Sequence, residues 1–282
     1  MRLFVTGAGG QLGHDVVAAA LAAGDDVVAV DHAALDITDA SAVRAAILDA
    51  RPDAVINAAA YTAVDACETN VEIARAINAD AVGNLAAVAK EIDAHLVHVS
   101  TDYVFDGTLG RPYREDDATN PQSVYGKTKL EGERLAGSDA AIVRTSWVCG
   151  EHGNNMVKLV LRLAAPGADL AFVDDQRGCP TFTADLAPAL RSLAADRRSG
   201  IFHLTNSGAV TWFEFVQEIL RASGHPVDMV RPITSAELDP PRPAPRPANS
   251  VLDNARWRAA GMAPLRDFRE PLRELVAVLT SD

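Results

Sequence analysis

Residues 3–13 read LFVTGAGGQLG, an apolar run followed by glycines at positions 7, 10 and 13. The run Leu3–Thr6 is typical of a buried parallel strand, and a helical spacing of apolar residues begins at Gln11. Between them, the spacing GxxGxxG matches the loop that holds a dinucleotide phosphate at the start of a helix. A simple glycine-rich turn is the alternative, but the flanking strand and helix favour the phosphate loop.

The same alternation of strand and helix continues along the first two-thirds of the chain. Strands are predicted at Leu3–Thr6, Asp26–Val30, Ala54–Asn57, His95–Ser100 and Ala141–Arg144. Helices are predicted at Gln11–Ala23, Ser41–Ala50 and Ile73–Ile92, where alanine, leucine and valine recur at helical spacing. Such alternation builds a parallel sheet with helices on both faces. The predicted fold class is therefore α/β, a Rossmann-type doubly wound parallel sheet with a smaller C-terminal lobe.

The alternation loosens after residue 150, which divides the chain into two predicted units. Residues 1–150 are predicted to form an NAD(P)-binding domain, and residues 151–282 mainly a substrate-binding lobe that returns in part to the first sheet. The lobe has predicted helices at Asn155–Ala164, Asp185–Ala195 and Trp212–Ala222, and predicted strands at Leu170–Val173 and Ile201–Leu204. The run DPPRPAPRP at residues 239–247 fits neither a helix nor a central strand.

Charge and cysteine content exclude several classes of function. With 26 Lys and Arg residues against 38 Asp and Glu, the net charge is −12, which argues against nucleic acid or an anionic membrane as a partner. No apolar run has the length of a membrane span, and the start MRLFVTGAGG does not resemble a signal peptide. The three widely spaced cysteines predict reduced thiols in a cytoplasmic protein, and neither they nor the seven histidines show metal-site spacing.

An acidic residue at the end of the second predicted strand bears on the choice of cofactor. Asp31 is placed to accept a hydrogen bond from a ribose 2′-hydroxyl, which favours NADH. The neighbouring His32 is compatible with the 2′-phosphate of NADPH. The predicted cofactor is therefore NADPH or NADH.

A tyrosine and a lysine lie four residues apart in the segment YGKTK. On a helix, Tyr125 and Lys129 share one face, and a nearby ammonium lowers the pKa of a phenol from its usual value of about 10. The tyrosine then becomes a general acid for a carbonyl group. Thr101 follows the apolar run HLVHVS at a predicted strand end, the edge where open α/β sheets bind ligands. The predicted catalytic residues are Tyr125, Lys129 and Thr101, with turn capping as the alternative role of the threonine.

Longer strings carry a resemblance to a known family. VTGAGGQLG, INAAAYTAVDACE, HVSTDYVFDG, NPQSVYGKTKLEGE, RTSWVCG, DQRGCPT and RPANS follow in this order. With these strings the chain resembles the dTDP-4-dehydrorhamnose reductases, in the extended branch of the short-chain dehydrogenase/reductases. The resemblance implies NADPH- or NADH-dependent reduction of the C4 ketone of dTDP-4-dehydro-6-deoxy-L-mannose (dTDP-4-dehydro-L-rhamnose). The implied product is dTDP-L-rhamnose, at the last step of its biosynthesis.

The resemblance also implies roles for the residues at matching positions. Tyr125 would donate the proton, Lys129 would hold the nicotinamide ribose, and Thr101 would bind the sugar O4. The implied cofactor-binding residues are Gly7, Gly10, Gln11, Leu12, Gly13, Asp31, Asp36, Ile37, Ala60, Tyr61, Thr62, Tyr125 and Lys129. The implied substrate-binding residues are Thr101, Asp102, Tyr103, Trp147, Asp175, Gln176, Pro180, Thr181, Arg246 and Asn249.

Two of these positions keep a structural alternative. Trp147 is as typical of a buried core as of a platform for a sugar. Arg246 suits a diphosphate because its planar guanidinium donates two hydrogen bonds at once. A solvated proline-rich linker is the other interpretation of the segment around Arg246.

The chain departs from the family at a position that bears on assembly. Some members dimerise through a magnesium ion held by carboxylates near the first helix and in the lobe. Asp15 is available for the first of these, but Ala184 stands where a glutamate is expected. No metal is therefore predicted, and a monomer or a metal-free homodimer is expected.

Two other functions share part of this pattern. A nucleotide-sugar epimerase or dehydratase would have the glycine loop and the YxxxK segment, but DQRGCPT and RPANS argue against it. A non-catalytic regulatory subunit of the same family would not need the intact set of Thr101, Tyr125 and Lys129. The retained set favours an enzyme.

Overall fold

Strands and helices alternate along most of the structure, a computed structural model that describes residues 1–165 and 167–281. The strands are β1 (Arg2–Thr6), β2 (Asp26–Val30), β3 (Ala54–Asn57), β4 (His95–Thr101), β5 (Ala141–Thr145), β6 (Val148–Cys149), β7 (Leu170–Val173), β8 (Arg177–Gly178), β9 (Thr181–Phe182), β10 (Gly200–His203), β11 (Val210–Thr211) and β12 (Val230–Ile233). The helices are α1 (Gln11–Ala22), α2 (Ala40–Ala50), α3 (Val64–Cys67), α4 (Val71–Arg75), α5 (Ala81–Glu91), α6 (Val124–Ala136), α7 (Met156–Leu163), α8 (Thr183–Ala195), α9 (Trp212–Ala222), α10 (Ala255–Ala259) and α11 (Arg269–Thr280).

The main sheet has six parallel strands in the order β10-β5-β4-β3-β1-β2. Every residue of β3 and β5 is buried, because helices cover both faces and leave no polar side of the sheet. Val16 of α1 and Leu190 of α8 pack on one face, and Ile47 of α2 and Leu85 of α5 pack on the other. The predicted doubly wound α/β fold is confirmed.

The glycine loop lies where the strand order changes direction. The chain goes from β1 to β2 on one side and then crosses to β3 on the other side of β1, and ligands bind at such a switch point. Gly7 has φ of +69°, and a Cβ there would come within 2.7 Å of the backbone nitrogen of Ala59. A Cβ on Gly13 would come within 2.0 Å of the Gly7 carbonyl oxygen. Both glycines are therefore required for α1 to start this close to the sheet.

A second apolar core holds the C-terminal part of the chain together. Helices α7, α9 and α11 pack around short strand pairs, with Phe215, Ile219 and Phe268 fully buried. Strand β10 returns to the edge of the main sheet, and residues 239–247 form neither helix nor strand. The division at residue 150 remains a prediction. No described helix has the length and apolar character needed to cross a bilayer.

The helix predicted at Ile73–Ile92 is not continuous. A π-helical turn at Ala76–Asp80 separates α4 from α5. The turn carries the buried Asn78, whose amide accepts a hydrogen bond from the Tyr61 backbone nitrogen (2.8 Å) and donates to the Tyr61 carbonyl (3.1 Å). The π-turn thus ties the segment after β3 to the helical layer, a use typical of such bulges near functional sites.

Candidate active site

A cleft of about 600 Å³ opens at the carboxyl ends of the main strands. The start of α1, the segments after β3 and β4, the start of α6 and the chain after β5 all contribute side chains to it. Its lining includes about half of the predicted set: Gly10, Gln11, Leu12, Ala60, Thr62, Thr101, Asp102, Tyr103, Tyr125, Lys129 and Trp147. Residues predicted from distant parts of the sequence therefore meet at one sheet edge.

The first turn of α6 places Tyr125 beside the end of β4. Ser123 caps this helix by accepting a hydrogen bond from the Gly126 backbone nitrogen at 3.1 Å. Gly126 lets the helix approach the chain closely, because a Cβ there would lie 2.2 Å from the Tyr103 carbonyl oxygen. The rings of Tyr103 and Tyr125 then meet edge to face, with centroids 5.5 Å apart.

Thr101 is the hub of the hydrogen bonds at the end of β4. Its hydroxyl donates to the Asp102 carboxylate at 2.9 Å and accepts from the Tyr103 backbone nitrogen at 3.2 Å. Burial raises the pKa of Asp102 to about 6, and the second carboxylate oxygen of Asp102 has no hydrogen-bond partner in the described part of the chain. Asp102 lines the cleft, and Ser250 lies near enough to its carboxylate to oppose part of the rise in pKa.

Burial raises the pKa of the Tyr125 hydroxyl above its usual value, while a hydrogen bond with Thr101 opposes part of that rise. We expected from the sequence that Lys129 would lower this pKa. In the structure the lysine ammonium does not set the pKa, and Lys129 Nζ donates instead to the Val99 carbonyl oxygen at 2.6 Å. Tyr125 is thus held in its protonated form, the form that a proton donor needs.

Lys129 itself is almost fully buried, with 1% of its surface exposed. Burial lowers the pKa of its amine to about 8. The imidazole of His98 lies behind the amine, with Nε2 3.3 Å from Nζ. A shift of this size is typical of functional lysines that exchange protons near neutral pH.

A buried ion pair anchors α6 beneath these groups. The guanidinium of Arg144 on β5 donates to Glu133 at 2.7 and 2.9 Å, and the Ser100 hydroxyl on β4 donates to the same carboxylate. Both charged side chains are 4% exposed or less. Glu133 lies on α6 four residues after Lys129 and eight after Tyr125, so the pair fixes the helix face that carries them.

Two stacked tryptophans form an apolar wall of the cleft. The rings of Trp147 and Trp212 lie 3.5 Å apart and within 9° of parallel. Trp147 adopts φ of +48°, an uncommon value for a bulky residue, and its ring packs on Gly178, where a Cβ would come within 2.6 Å. Trp147 is half-buried and faces the cleft, which favours a ligand platform over a core position.

A second cavity of about 400 Å³ adjoins the first at Tyr103 and Trp212. Its walls are largely apolar, with Phe172 and Leu159, and two arginines line it. Arg246 is bound to Asp65, with its second amino nitrogen 2.7 Å from the carboxylate. The neighbouring Arg242 lies 3.5 Å from the same carboxylate. Two guanidinium groups share one carboxylate, so the cavity has a net positive charge suited to an anionic group.

The predicted cofactor residues fall into two groups. The start of α1 fits an anion, because its N-cap residue Gly10 provides no side-chain cap and no acid lies in the first turn. Other predicted positions lie outside the lining of the cleft. Asp31 accepts a hydrogen bond from the Ala34 nitrogen, Asp36 binds Thr38, and Ile37 packs in the core.

Four predicted substrate residues also lie outside both cavities. Asp175 accepts hydrogen bonds from Ser235, and Asn249 donates to the carbonyls of Leu109 and Arg111. Pro180 and Thr181 are buried. In contrast, Gln176 lines the second cavity. In the structure Asp175 and Asn249 hold the surrounding loops together.

Several site residues escaped sequence reasoning. Trp212, Asp65, Arg242 and His98 contact predicted site residues, and Glu133 binds Arg144 beneath them, but none of the five was assigned a role from the sequence. All but Trp212 lie inside segments quoted above, and Glu133 also continues the four-residue spacing of Tyr125 and Lys129. Within residues 1–165 and 167–281, no cluster of three His, Cys, Asp or Glu side chains could hold a metal ion.

A parallel sheet of this order, a glycine loop after β1 and a Thr–Tyr–Lys set at the end of β4 and the start of α6 define the class of short-chain dehydrogenase/reductases. The sequence match is narrower. Residues 1–281 match the family described as RmlD substrate binding domain, and the chain belongs to that family.

Relatives and a solved structure agree with this assignment. A dTDP-4-dehydrorhamnose reductase of Streptomyces griseus is 45% identical, over 97% of this chain and 92% of that protein. A probable dTDP-4,6-dihydroxy-2-methyloxan-3-one 4-ketoreductase of Streptomyces antibioticus is 46% identical, over 97% and 94%. The crystal structure of dTDP-4-dehydrorhamnose reductase from Bacillus anthracis in complex with NADP has a TM-score of 0.94 at 34% identity, over 98% and 99% of the two chains. The resemblance predicted from the sequence is confirmed.

The anchoring role of the buried ion pair can be tested by a matched pair of substitutions on α6. Glu133→Gln should lower the free energy of unfolding by about 3–5 kcal/mol, because it leaves the Arg144 guanidinium buried without a counter-charge. Glu131→Gln breaks the exposed pair with Arg75 and should change the stability little. Urea unfolding of the two variants measures the difference, and equal stabilities would reject the anchoring role.

Proposed function

We propose that this chain reduces the C4 ketone of dTDP-4-dehydro-6-deoxy-L-mannose to dTDP-L-rhamnose, with NADPH or NADH as the reductant. The observation that carries the proposal is the half-buried Tyr125, held protonated beside Thr101 in a cleft that the glycine loop also lines. The relatives from S. griseus and B. anthracis are both named dTDP-4-dehydrorhamnose reductase, which describes a reaction of this type on a dTDP-linked sugar.

The chain's own residues fit a nicotinamide dinucleotide. When bound, the reduced nicotinamide supplies the hydride that reaches the ketone carbon. Gly10 begins the turn into α1 with its own nitrogen bound to the Gly7 carbonyl, and Gln11 and Leu12 would present their backbone nitrogens to the phosphates. Gln11 also donates to the Val148 carbonyl at 2.9 Å and accepts from Asn155 at 2.7 Å, so the phosphate loop is tied to the C-terminal part of the chain.

Tyr125 donates its proton to the ketone oxygen as negative charge develops there. The Thr101 hydroxyl binds the same oxygen by turning its hydrogen away from the Asp102 carboxylate, to which it donates in this structure. Lys129 supports the tyrosine from the next turn of α6. Asp102 lines the cleft next to Thr101, and its carboxyl group is the proposed acceptor for a sugar hydroxyl. Trp147 packs against an apolar face of the hexose.

The second cavity is the proposed site of the nucleoside diphosphate. Its apolar wall suits a flat base, and Arg246 and Arg242 suit the diphosphate. Gln176 and Tyr103 supply polar contacts at its edge. The two cavities join at Tyr103 and Trp212, so one ligand can extend from the diphosphate to Tyr125.

The remaining family positions are proposed on the resemblance alone. Gly7 and Gly13 shape the phosphate loop, Asp31 would bind the adenosine ribose, and Asp36 and Ile37 would flank the adenine. Further cofactor contacts are proposed for Ala60, Tyr61 and Thr62. The further substrate contacts proposed are Asp175, Pro180, Thr181 and Asn249.

We further propose that the protein works in the cytoplasm, as a monomer or a metal-free homodimer. All three cysteines are buried free thiols, which fits a reducing compartment. Burial raises the pKa of Cys67 to about 11 and that of Cys149 to about 12, so neither thiol is reactive.

The S. antibioticus relative points to a second candidate substrate, another dTDP-linked ketosugar. The two candidates share the dTDP group and the ketone at C4. They differ in the substituents that Asp102 and Trp147 would meet. Initial rates with a panel of dTDP- and UDP-linked 4-keto sugars distinguish them.

Tyr125→Phe tests the proposed acid. The variant keeps the aromatic ring and loses the hydroxyl, so turnover should fall about 10²- to 10⁴-fold with nearly unchanged NADPH affinity. Tyr113→Phe is the matched control, since Tyr113 is a buried tyrosine that donates to Asp106 outside the cleft. Full turnover by the Tyr125 variant would reject the assignment.

The role of Arg246 is tested by two substitutions that break the same ion pair. Arg246→Ala removes the guanidinium and should weaken dTDP binding about ten- to a hundredfold, the usual contribution of a charge-assisted hydrogen bond. Asp65→Asn breaks the pair but keeps the guanidinium, so it should retain most of the affinity. Calorimetric titration with dTDP measures both, and an equal loss in the two variants would mean that the pair only holds the loop in place.

A further inference from the structure

A line of fully buried polar side chains lies behind Lys129, and the proposed mechanism makes no use of it. Thr6, Asn57 and His98 are each 0% exposed. They occupy paired positions on the neighbouring strands β1, β3 and β4, where Thr6 is opposite Asn57 and Asn57 is opposite His98. Buried polar groups of this kind require a donor matched to an acceptor at every contact.

The contacts of Asn57 fix the orientation of its amide. The Ala59 backbone nitrogen lies 3.1 Å from Oδ1, and a backbone N–H can only donate. The Thr6 hydroxyl donates to the same oxygen at 2.7 Å. The amide nitrogen of Asn57 is therefore the atom that faces His98, and it donates to Nδ1 at 3.1 Å.

This orientation in turn fixes the tautomer of His98. Burial lowers the pKa of His98 well below its usual value, so the ring is neutral and carries one N–H. Because Nδ1 accepts from Asn57, the ring hydrogen sits on Nε2. That nitrogen faces Lys129 Nζ at 3.3 Å, and Nζ itself donates to the Val99 carbonyl at 2.6 Å.

An ammonium has no lone pair with which to accept the Nε2–H. The neutral amine has one. Only the neutral amine therefore gives every donor in the line of hydrogen bonds from Thr6 to Lys129 an acceptor. We propose that His98, oriented by Asn57, is a positioning residue that stabilises the neutral form of Lys129. Protonation of Lys129 would force the ring hydrogen to Nδ1, against the amide hydrogens of Asn57.

The consequence for turnover rests on the proposed function. After Tyr125 gives its proton to the ketone oxygen, the phenolate regains a proton supplied by the Lys129 ammonium, which becomes the amine that His98 stabilises. Lys129 lines the cleft, and its amine is protonated again from water there. One proton thus passes from water to the product alcohol per turnover, and the enzyme returns to its starting state.

The charges around Lys129 do not cancel the stabilisation of its neutral form. Glu133 on α6 raises the pKa of the lysine, but its carboxylate is engaged by Arg144 of β5. Burial acts in the opposite direction and dominates. The titratable groups that act on Tyr125, one turn earlier on α6, are Asp102 and Tyr103 after β4 and Cys67 on α3.

The direct test is NMR of the wild-type protein labelled with ¹⁵N in histidine and lysine, without added nucleotide or sugar. His98 should show the Nε2–H tautomer, and Lys129 should titrate at or below pH of about 8, against about 10.4 for an ordinary lysine. The His98 signals should change at the same midpoint as those of Lys129. A His98 with its hydrogen on Nδ1, or a lysine that titrates near its ordinary value, would overturn the proposal.

An isosteric substitution should reverse the donor and acceptor roles in the hydrogen bonds that link residue 57, His98 and Lys129. In Asn57→Asp, the carboxylate would accept from His98 Nδ1–H, so that Nε2 becomes an acceptor for the ammonium. The His98 tautomer should therefore switch, and the Lys129 midpoint should rise by at least one pH unit, a tenfold gain in proton affinity.

Thr6→Val is the matched control, because it removes a hydroxyl from the same chain without changing the direction of the Asn57 amide. In this variant the His98 tautomer should be that of the wild type, and the Lys129 midpoint should stay within half a pH unit of it. An unchanged tautomer in Asn57→Asp would contradict the proposal, and if that variant does not fold, the wild-type spectra decide alone. None of these spectra requires turnover, so a protein that reduces no sugar but shows the expected titration would reject only the proposed function.

Discussion

The ion pair between Glu133 and Arg144 sets the position of α6 on the sheet, and the active site is built on that contact. The pair joins the helix to β5, and the Ser100 hydroxyl joins the same carboxylate to β4, one residue before Thr101. Tyr125 and Lys129 lie on the same helix face, so the position of α6 fixes where both side chains lie relative to the strand ends. A buried pair costs free energy of desolvation when it forms. In return, the pair fixes α6 relative to β4 and β5.

Burial also shifts the pKa values of the side chains that line the cleft. It raises the pKa of Tyr125 and Asp102 and lowers the pKa of Lys129, so each group is pushed toward its neutral form. Tyr125 therefore stays protonated, while Asp102 with a pKa of about 6 and Lys129 with a pKa of about 8 titrate near neutral pH. The second cavity, with two arginines around the Asp65 carboxylate, has the opposite character and suits a permanent anion.

The fold could be predicted from sequence because its signals are local. Strands β2, β3 and β7 and helix α9 have the predicted bounds, since apolar runs and helical spacing are visible within single segments. The glycine loop and the Tyr125–Lys129 spacing are local for the same reason. The contacts of Trp212 with Trp147 and of Arg246 with Asp65 join residues far apart in the chain, and the strings that contain these residues do not show which of them meet. The π-turn at Ala76–Asp80 was hidden because its residues keep an apolar helical pattern.

The central claim is that a hydride from the nicotinamide reaches C4 of a dTDP-linked hexose in this cleft. It is tested most directly with NADPH that carries deuterium at the transferring position of the nicotinamide, together with dTDP-4-dehydro-6-deoxy-L-mannose. NMR of the product should show one deuterium at C4 of the hexose for each NADPH oxidised. No oxidation of NADPH, or deuterium at another carbon of the product, would contradict the account.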